Sequence, residues 1–338
     1  MERSRYKQVK TKRGFNYSYY FSPPATSKPV LFFAHGFPGG SSFWRRQVAF
    51  FEPLGYGLLV PDLLGYGGTD KPTDPKLYVG SGHANDFLDI FAAEGLEQVI
   101  AIGHDWGSFA VSRLVNHHPQ RVSACGFLAV GYFPPVLQNA DLITRSPEAS
   151  EIFGYDIFAF MRFFVQPDAA TLIEKHIDSF IGLFFPESPY SWTDHLCVDG
   201  GTQAWLEGNK TARLPSYMTE EDKQLLKDSL LNGGLSGPLC WFRLQIDEAN
   251  AEDDATISST AREVVQPLLF IPFTEDLIAP PVFGDTAMDR FAKGPVTREE
   301  VGGDHWAVQS HALEVNDTIL RWIQGLSVAD LGRPEETT

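Results

Sequence analysis

The stretch QVIAIGHDWGSFAVSRLVNHHP, residues 98–119, decides the fold. It opens on a short apolar run, QVIAI, and continues into SFAVSRLVNHHP, whose pattern suits a helix ended by Pro119. Between them stands GHDWG, residues 103–107. Small glycines around a polar residue at a strand-to-helix junction mark the sharp turn that lifts a nucleophile above a sheet. That turn most often carries serine; here its centre is Asp105. An aspartate before a helix can also be a plain N-cap. Capping accounts for one carboxylate, but not for the frame of Gly103, His104, Trp106 and Gly107 behind an apolar strand. Asp105 therefore reads as a nucleophile, its ionised form supported by the helix dipole.

Working outward, the first third of the chain alternates strand-like and helix-like segments. PVLFFAH (29–35), YGLLVPD (56–62) and VSACGFLAV (122–130) are short apolar runs of the kind buried on both faces of a sheet. NYSYYF (16–21) alternates as a half-buried edge strand would. SSFWRRQVAFFEPLG (41–55) predicts a helix capped by serine and closed by Gly55, and LYVGSGHANDFLDIFAAEG (77–95) supplies another. Repeated β–α alternation implies an α/β core with a mostly parallel sheet and helices on both faces. From about residue 135 the pattern changes to aromatic segments such as EIFGYDIFAFMRFF (151–164) and SFIGLFFPESPYSW (179–192), with no convincing strand. Residues 135–258 hold 20 acidic and 8 basic side chains, most of the chain's net charge of −16. Strands return with QPLLFIPF (266–273) and VTREEV (296–301), and AVQSHALEVNDTILRWIQGL (307–326) forms a closing amphipathic helix. The expected organisation is an α/β core, residues 1–134 and 259–338, interrupted by an inserted α-helical cap over 135–258.

Bulk properties narrow the function. In 338 residues, 43% are hydrophobic and 21% charged, the balance of a folded globular protein. A charge of −16 repels nucleic acid and anionic membrane. It also disfavours a small anionic substrate, unless a local basic pocket overrides it. Cys125, Cys197 and Cys240 show no metal-like spacing and suit a reducing compartment. Neither a metal nor a cofactor is expected. The basic N-terminus MERSRYKQVKTKRG is not followed by an apolar signal segment, no run approaches the ~20 residues of a membrane span, and the terminal EETT is no address signal. A cytoplasmic protein with a small-molecule substrate is expected; monomer and homodimer both remain open.

Three further motifs carry chemistry. HGFPGG (35–40) ends a strand, and its glycines allow close backbone approach. The amides of Phe37 and Trp106 could converge there on one oxygen as an oxyanion hole. GGDHWA (302–307) places His305 in a glycine-rich loop before the last helix. Among the nine histidines, His117 and His118 sit at a helix C-terminus where the dipole accounts for them. His305 has no such explanation. FTEDLIAP (273–280) follows a strand and offers Glu275 and Asp276; Asp276 is preferred, completing the order nucleophile, acid, histidine.

HGFPGG, DLLGYGGTDKP (62–72), GHDWG and GDHW (303–306) together resemble α/β-hydrolases of the epoxide hydrolase-like branch, from Tyr17 to about Leu326. The resemblance implies Asp105 as nucleophile, His305 as base, Asp276 as its partner, and Phe37 and Trp106 as the oxyanion hole. Serine attacks carbonyls, whereas a carboxylate displaces a leaving group from saturated carbon and forms an alkyl ester that water can then cleave.

The chain departs from that branch in the cap. The branch uses two tyrosines to hold the epoxide oxygen; at the matching places, FAFMRFFVQP and CWFR, stand Phe160 and Phe242. Tyr155 or Tyr217 could replace them if the cap is aligned differently, and Tyr132 is a further candidate for the pocket wall. A haloalkane dehalogenase would need a halide clamp of which only Trp106 is present, and a fluoroacetate dehalogenase would need arginines that DWGSFAVSR lacks in that arrangement. The expected activity is epoxide opening on a bulky, apolar, uncharged molecule, such as an intermediate of secondary metabolism. Two alternatives stand beside it. One is a non-hydrolytic reaction (cyclisation, dehydration or intramolecular epoxide opening) with Asp105 and His305 as acid and base. The other is a non-catalytic binder, which would have no need of all three polar residues.

Overall fold

Strands form where short apolar or aromatic runs meet turn residues. In the computed structural model, which describes residues 1–136, 146–327 and 330, these are β1 Tyr6–Lys10, β2 Asn16–Ser22, β3 Val30–Ala34, β4 Gly57–Pro61, β5 Val99–His104, β6 Val122–Leu128, β7 Leu268–Ile271 and β8 Val296–Arg298. They make one sheet in the order β1-β2-β4-β3-β5-β6-β7-β8. β1 with β2 and β2 with β4 are antiparallel, and the remaining pairs are parallel. The helices of the core are α1 Arg45–Phe51, α2 Gly80–Ala93, α3 Trp106–His117, α13 Pro281–Phe291, α14 Ala307–Ser310 and α15 Ala312–Gly325.

The period of two along each strand sends alternate side chains to opposite faces. In β3, Phe32 and Ala34 join a cluster with Phe87 and Phe91 of α2 and Phe109 of α3. Leu31 and Phe33 point the other way, into a cluster with Phe51 of α1 and Val315, Ile319 and Trp322 of α15. Both faces are therefore covered, as continuous apolar strands require.

Three expectations need correction. NYSYYF is not the edge: β1 pairs outside it, and all of β2 after Asn16 is buried. β1, with sequence YKQVK, is too polar and basic to stand out as a strand, and its exposed flank is what an edge needs. Before α1, Ser41–Trp44 forms a 3₁₀ turn with no serine cap; the Ser41 amide instead donates to Asp62 Oδ1 at 2.8 Å. The closing helix is broken at His311 into α14 and α15.

Between β6 and β7 the described residues contain helices and no strand: α4 Ser146–Phe153, α5 Ala159–Phe164, α6 Ala169–Lys175, α7 Ile177–Phe184, α8 Ser191–His195, α9 Gly201–Glu207, α10 Glu220–Leu231, α11 Cys240–Arg243 and α12 Glu248–Ala255. This is the inserted helical cap. Residues 137–145 of its expected span, and the EETT tail, lie outside the described residues. Phe164, Phe180, Phe184 and Phe242 from the cap pack with Phe37 of the core, and Phe160 packs on Phe164. Where the chain enters and leaves the cap, the fully buried Arg113 of α3 ties both connections. Its guanidinium donates twice to Asp254 of α12, at 2.6 Å each, and once to the Phe133 carbonyl at 2.7 Å, while the Val136 amide donates to Asp254. Such a pair adds little net stability, because desolvation offsets its attraction, but its geometry fixes how the segments meet. No helix among the described residues is long and apolar enough to cross a membrane.

Candidate active site

Asp105 sits between β5 and α3 with φ 55° and ψ −123°. A non-glycine residue in that region carries about 1–3 kcal/mol of strain, a cost borne at sites whose surroundings over-determine the backbone. Its side chain makes no capping bond to α3, which separates it from an ordinary N-cap. The flanking glycines are needed because α3 lies hard against β3: a Cβ on Gly107 would fall on the Ala34 carbonyl oxygen. Likewise a Cβ on Gly36 would collide with the Asp105 carboxylate.

The two carboxylate oxygens of Asp105 face different partners. Oδ1 accepts the Phe37 amide at 2.8 Å, and the Trp106 backbone amide adds to the support of the ionised form. Oδ2 lies 3.6 Å from Nε2 of His305. On the other side of that ring, Nδ1–H donates to Asp276 Oδ2 at 2.7 Å. Asp276 is itself held, its Oδ1 accepting the amides of Ile278 at 3.0 Å and Ala279 at 2.8 Å. Neighbouring Glu275 is exposed and takes no part.

Electrostatics follow from this packing. Burial alone would raise the Asp105 carboxyl, but the hydrogen bond and charge of His305, then His104 and the Trp106 amide, hold it below the usual aspartate value. Burial alone would lower His305. The charge of Asp276 and its hydrogen bonds to both aspartates instead push it up to about 10. At neutral pH the site is thus an imidazolium between two carboxylates.

Two histidines of the site were not singled out from sequence. His104 donates from Nε2 to the His305 carbonyl at 2.9 Å, and burial, with the charge of His305, lowers it to about 4, so it stays neutral. His35 accepts the Leu63 amide at Nε2 (3.0 Å), which leaves Nδ1–H to donate to the Gly36 carbonyl at 2.9 Å. That bond sets the loop whose next amide reaches Asp105. Their only sequence signal was adjacency to the glycine motifs.

A cavity of about 670 Å³ opens over Asp105 and His305. Its walls are mainly apolar and include Phe37, Trp106, Phe160, Phe184 and Phe242. Phe160 and Phe242 stand together, ring centroids 6.2 Å apart, and Phe242 packs 5.1 Å from Trp106. Tyr132 lines the cavity with its ring, but its hydroxyl donates to the Arg262 carbonyl and accepts from Asn116, both at 2.8 Å. Tyr155 and Tyr217 do not line it, which corrects their expected place in the pocket. Tyr217 is held at the seam with α1, where Arg46 donates to its carbonyl at 3.0 Å, and Tyr155 packs beside Phe153. Among the described residues, Tyr132 is the one tyrosine that lines the cavity, and its hydroxyl is already paired.

Comparisons with known proteins agree on the fold and its branch. Residues 29–193 match the model of the alpha/beta hydrolase fold. The chain is 27% identical over 309 residues to epoxide hydrolase A of Mycobacterium tuberculosis, covering 89% of this chain and 92% of that protein. It is 25% identical to the bifunctional epoxide hydrolase 2 of Sus scrofa, matching 88% of this chain but spanning only 52% of that longer protein. Among solved structures, an epoxide hydrolase from an endophytic Streptomyces superposes with a TM-score of 0.79 at 25% identity, covering 95% of both chains.

Proposed function

The chain is an epoxide hydrolase-like α/β-hydrolase, and from that premise we propose that it opens an epoxide on a molecule with a bulky apolar body, through an alkyl ester on Asp105. One observation carries this reading. The Asp105 carboxylate is divided between a backbone donor at 2.8 Å and a carboxylate-held histidine at 3.6 Å, at the floor of an aromatic cavity.

In the proposed first step, Oδ2 of Asp105 attacks an epoxide carbon, the carbon–oxygen bond breaks, and the ring oxygen departs on the opposite side as an alkoxide. Oδ1 stays with the Phe37 and Trp106 amides. Esterification removes the Asp105 charge, and with it two of the influences that hold His305 protonated. His305 can then release its proton through solvent to the alkoxide, which becomes the first hydroxyl of the diol, and draw a new one from water. The water oxygen attacks Cγ of Asp105, negative charge develops on Oδ1 beneath the two amides, and the diol leaves carrying the former Oδ2. Asp276 keeps the imidazole oriented throughout.

The departing oxygen meets the cap side of the cavity, where Phe160 and Phe242 supply no proton. General acid catalysis is worth roughly 10²–10⁴ in rate. Simple epoxides should therefore turn over slowly, and the natural substrate should stabilise its own leaving oxygen by conjugation or an internal hydroxyl. That second case is the non-hydrolytic reading, and a cyclic ether in place of a diol would identify it. Installing both phenols, Phe160→Tyr with Phe242→Tyr, is expected to raise diol formation from phenyl oxirane at least about tenfold. Fast wild-type turnover of that epoxide, unchanged by the double substitution, would show that leaving-group protonation comes from elsewhere.

A further inference from the structure

Three carbonyls of the cap helix α7 accept an indole N–H. Trp205 of α9 donates to Ser179 at 2.9 Å, Trp192 of α8 to Leu183 at 2.8 Å, and Trp306 to Phe184 at 2.7 Å. Leu183 and Phe184 belong to the last turn, whose carbonyls have no partner inside the helix. Trp192 and Trp205 lie in the cap, as α7 does. Trp306 comes from the core, directly after His305, so its bond crosses from core to cap.

Trp306 is 2% exposed and held on several sides. Phe185, the residue after α7, stacks on it with centroids 4.5 Å apart, and the His305 ring meets it edge-on at 4.9 Å and 81°. Asp276 at Nδ1 and His104 at the backbone carbonyl also hold His305, and both are core residues. Trp192 approaches the same imidazole at 6.2 Å, but its N–H is used within the cap. Phe184 acts at a second place. Its side chain packs 5.5 Å from Phe37, whose amide donates to Asp105 Oδ1. One cap residue thus bears on the donor that holds the nucleophile and, through its carbonyl, on the neighbour of the base.

We propose that Trp306 is a positioning residue for the second step: its bond to the Phe184 carbonyl locks His305 at the angle from which it activates water, and ties that angle to the seating of the cap. This rests on the two-step role of Asp105 and His305 proposed above. Attack by Asp105 does not call on the link, because the Phe37 amide and the elbow backbone hold the nucleophile. Attack of water on the ester does, since a misplacement of about 1 Å can cost about 10²-fold in rate.

Trp306→Phe keeps an aromatic ring and deletes the donor. Trp205→Phe is the matched control: it deletes the same kind of bond to the same helix, with its ring against His195 and not His305. Both full-length variants should melt a few degrees lower, because each leaves a buried carbonyl unpaired. In single turnovers of phenyl oxirane followed by intact-mass spectrometry, Trp306→Phe should alkylate at the wild-type rate and deacylate about tenfold more slowly. Trp205→Phe should change neither step. The pH profile separates positioning from stability. Asp276, Asp105, His104 and Asp304 face His305, and once Asp105 is an ester, Asp276 is the main group that still raises it. A ring free to turn from Asp276 loses that support, so the deacylation midpoint should move to lower pH in Trp306→Phe alone. Phe185→Leu removes the stacking partner of Trp306 without altering the cavity lining, and should slow deacylation in the same direction even where Trp306→Phe fails to fold. Unchanged deacylation in both Trp306→Phe and Phe185→Leu, equal slowing of both steps, or the same slowing in Trp205→Phe would overturn the link; an ester that still accumulates in His305→Gln would leave the two-step reading intact. Absence of ester in His305→Gln as well would overturn that reading and this assignment with it.

Discussion

His305→Gln is expected to turn the protein into a covalent trap. Alkylation of Asp105 needs an ionised carboxylate and a held substrate, and neither depends on proton removal by His305. Deacylation needs a base for water, and losing that base should slow the step by roughly 10²–10⁴. Intact-mass spectrometry should then show enzyme plus one substrate, stable for many wild-type turnover times. The pH dependence adds a second reading of the same step. In the free protein His305 is pushed up to about 10 by Asp276 and Asp105 together, so the imidazolium persists across the neutral range. Once Asp105 is an ester, its charge and acceptor are gone, and the His305 value must fall. In the wild type, the single-turnover deacylation rate should therefore rise with pH, with a midpoint well below 10, while the alkylation rate stays flat over the same range. Equal loss of both steps in His305→Gln, with no adduct, would assign His305 another role.

Asp105→Ala should cost more than any other single change, at least about 10⁴ in turnover, because among the described residues no other carboxylate lines the cavity to form the ester. The fold should survive the substitution. Asp105 holds a left-handed backbone with no capping bond to α3, so its side chain contributes to the site and not to the helix. Circular dichroism should show an unchanged fold, with melting shifted by only a few degrees. A variant that keeps more than about a hundredth of wild-type activity would place the chemistry on another group.

Much of this architecture could be read from the chain because several signals agreed. β3, β4 and β5 are buried over their whole length, so their apolar runs are continuous and unmistakable. GHDWG was legible because Gly107 is forced by the approach of α3 to β3, and local chemistry shows a local constraint. β1 was not legible, since an edge strand can be as polar as a loop. The cap was hardest. Its helices are short and placed by contacts distant in sequence, so nothing local told that Tyr217 belongs to the α1 seam while Phe160 and Phe242 face Asp105. His35 and His104 act through backbone carbonyls, a role that residue type does not announce.

The covalent role of Asp105 is tested most directly by one turnover in heavy-oxygen water, with enzyme in excess over a phenyl oxirane. Water attacks the ester carbonyl in the proposed reaction, so the diol takes its new oxygen from the protein. The account predicts unlabelled diol and one heavy oxygen in the peptide that contains Asp105. Labelled diol after that first turnover, with Asp105 unlabelled, would contradict the ester and leave direct attack by water.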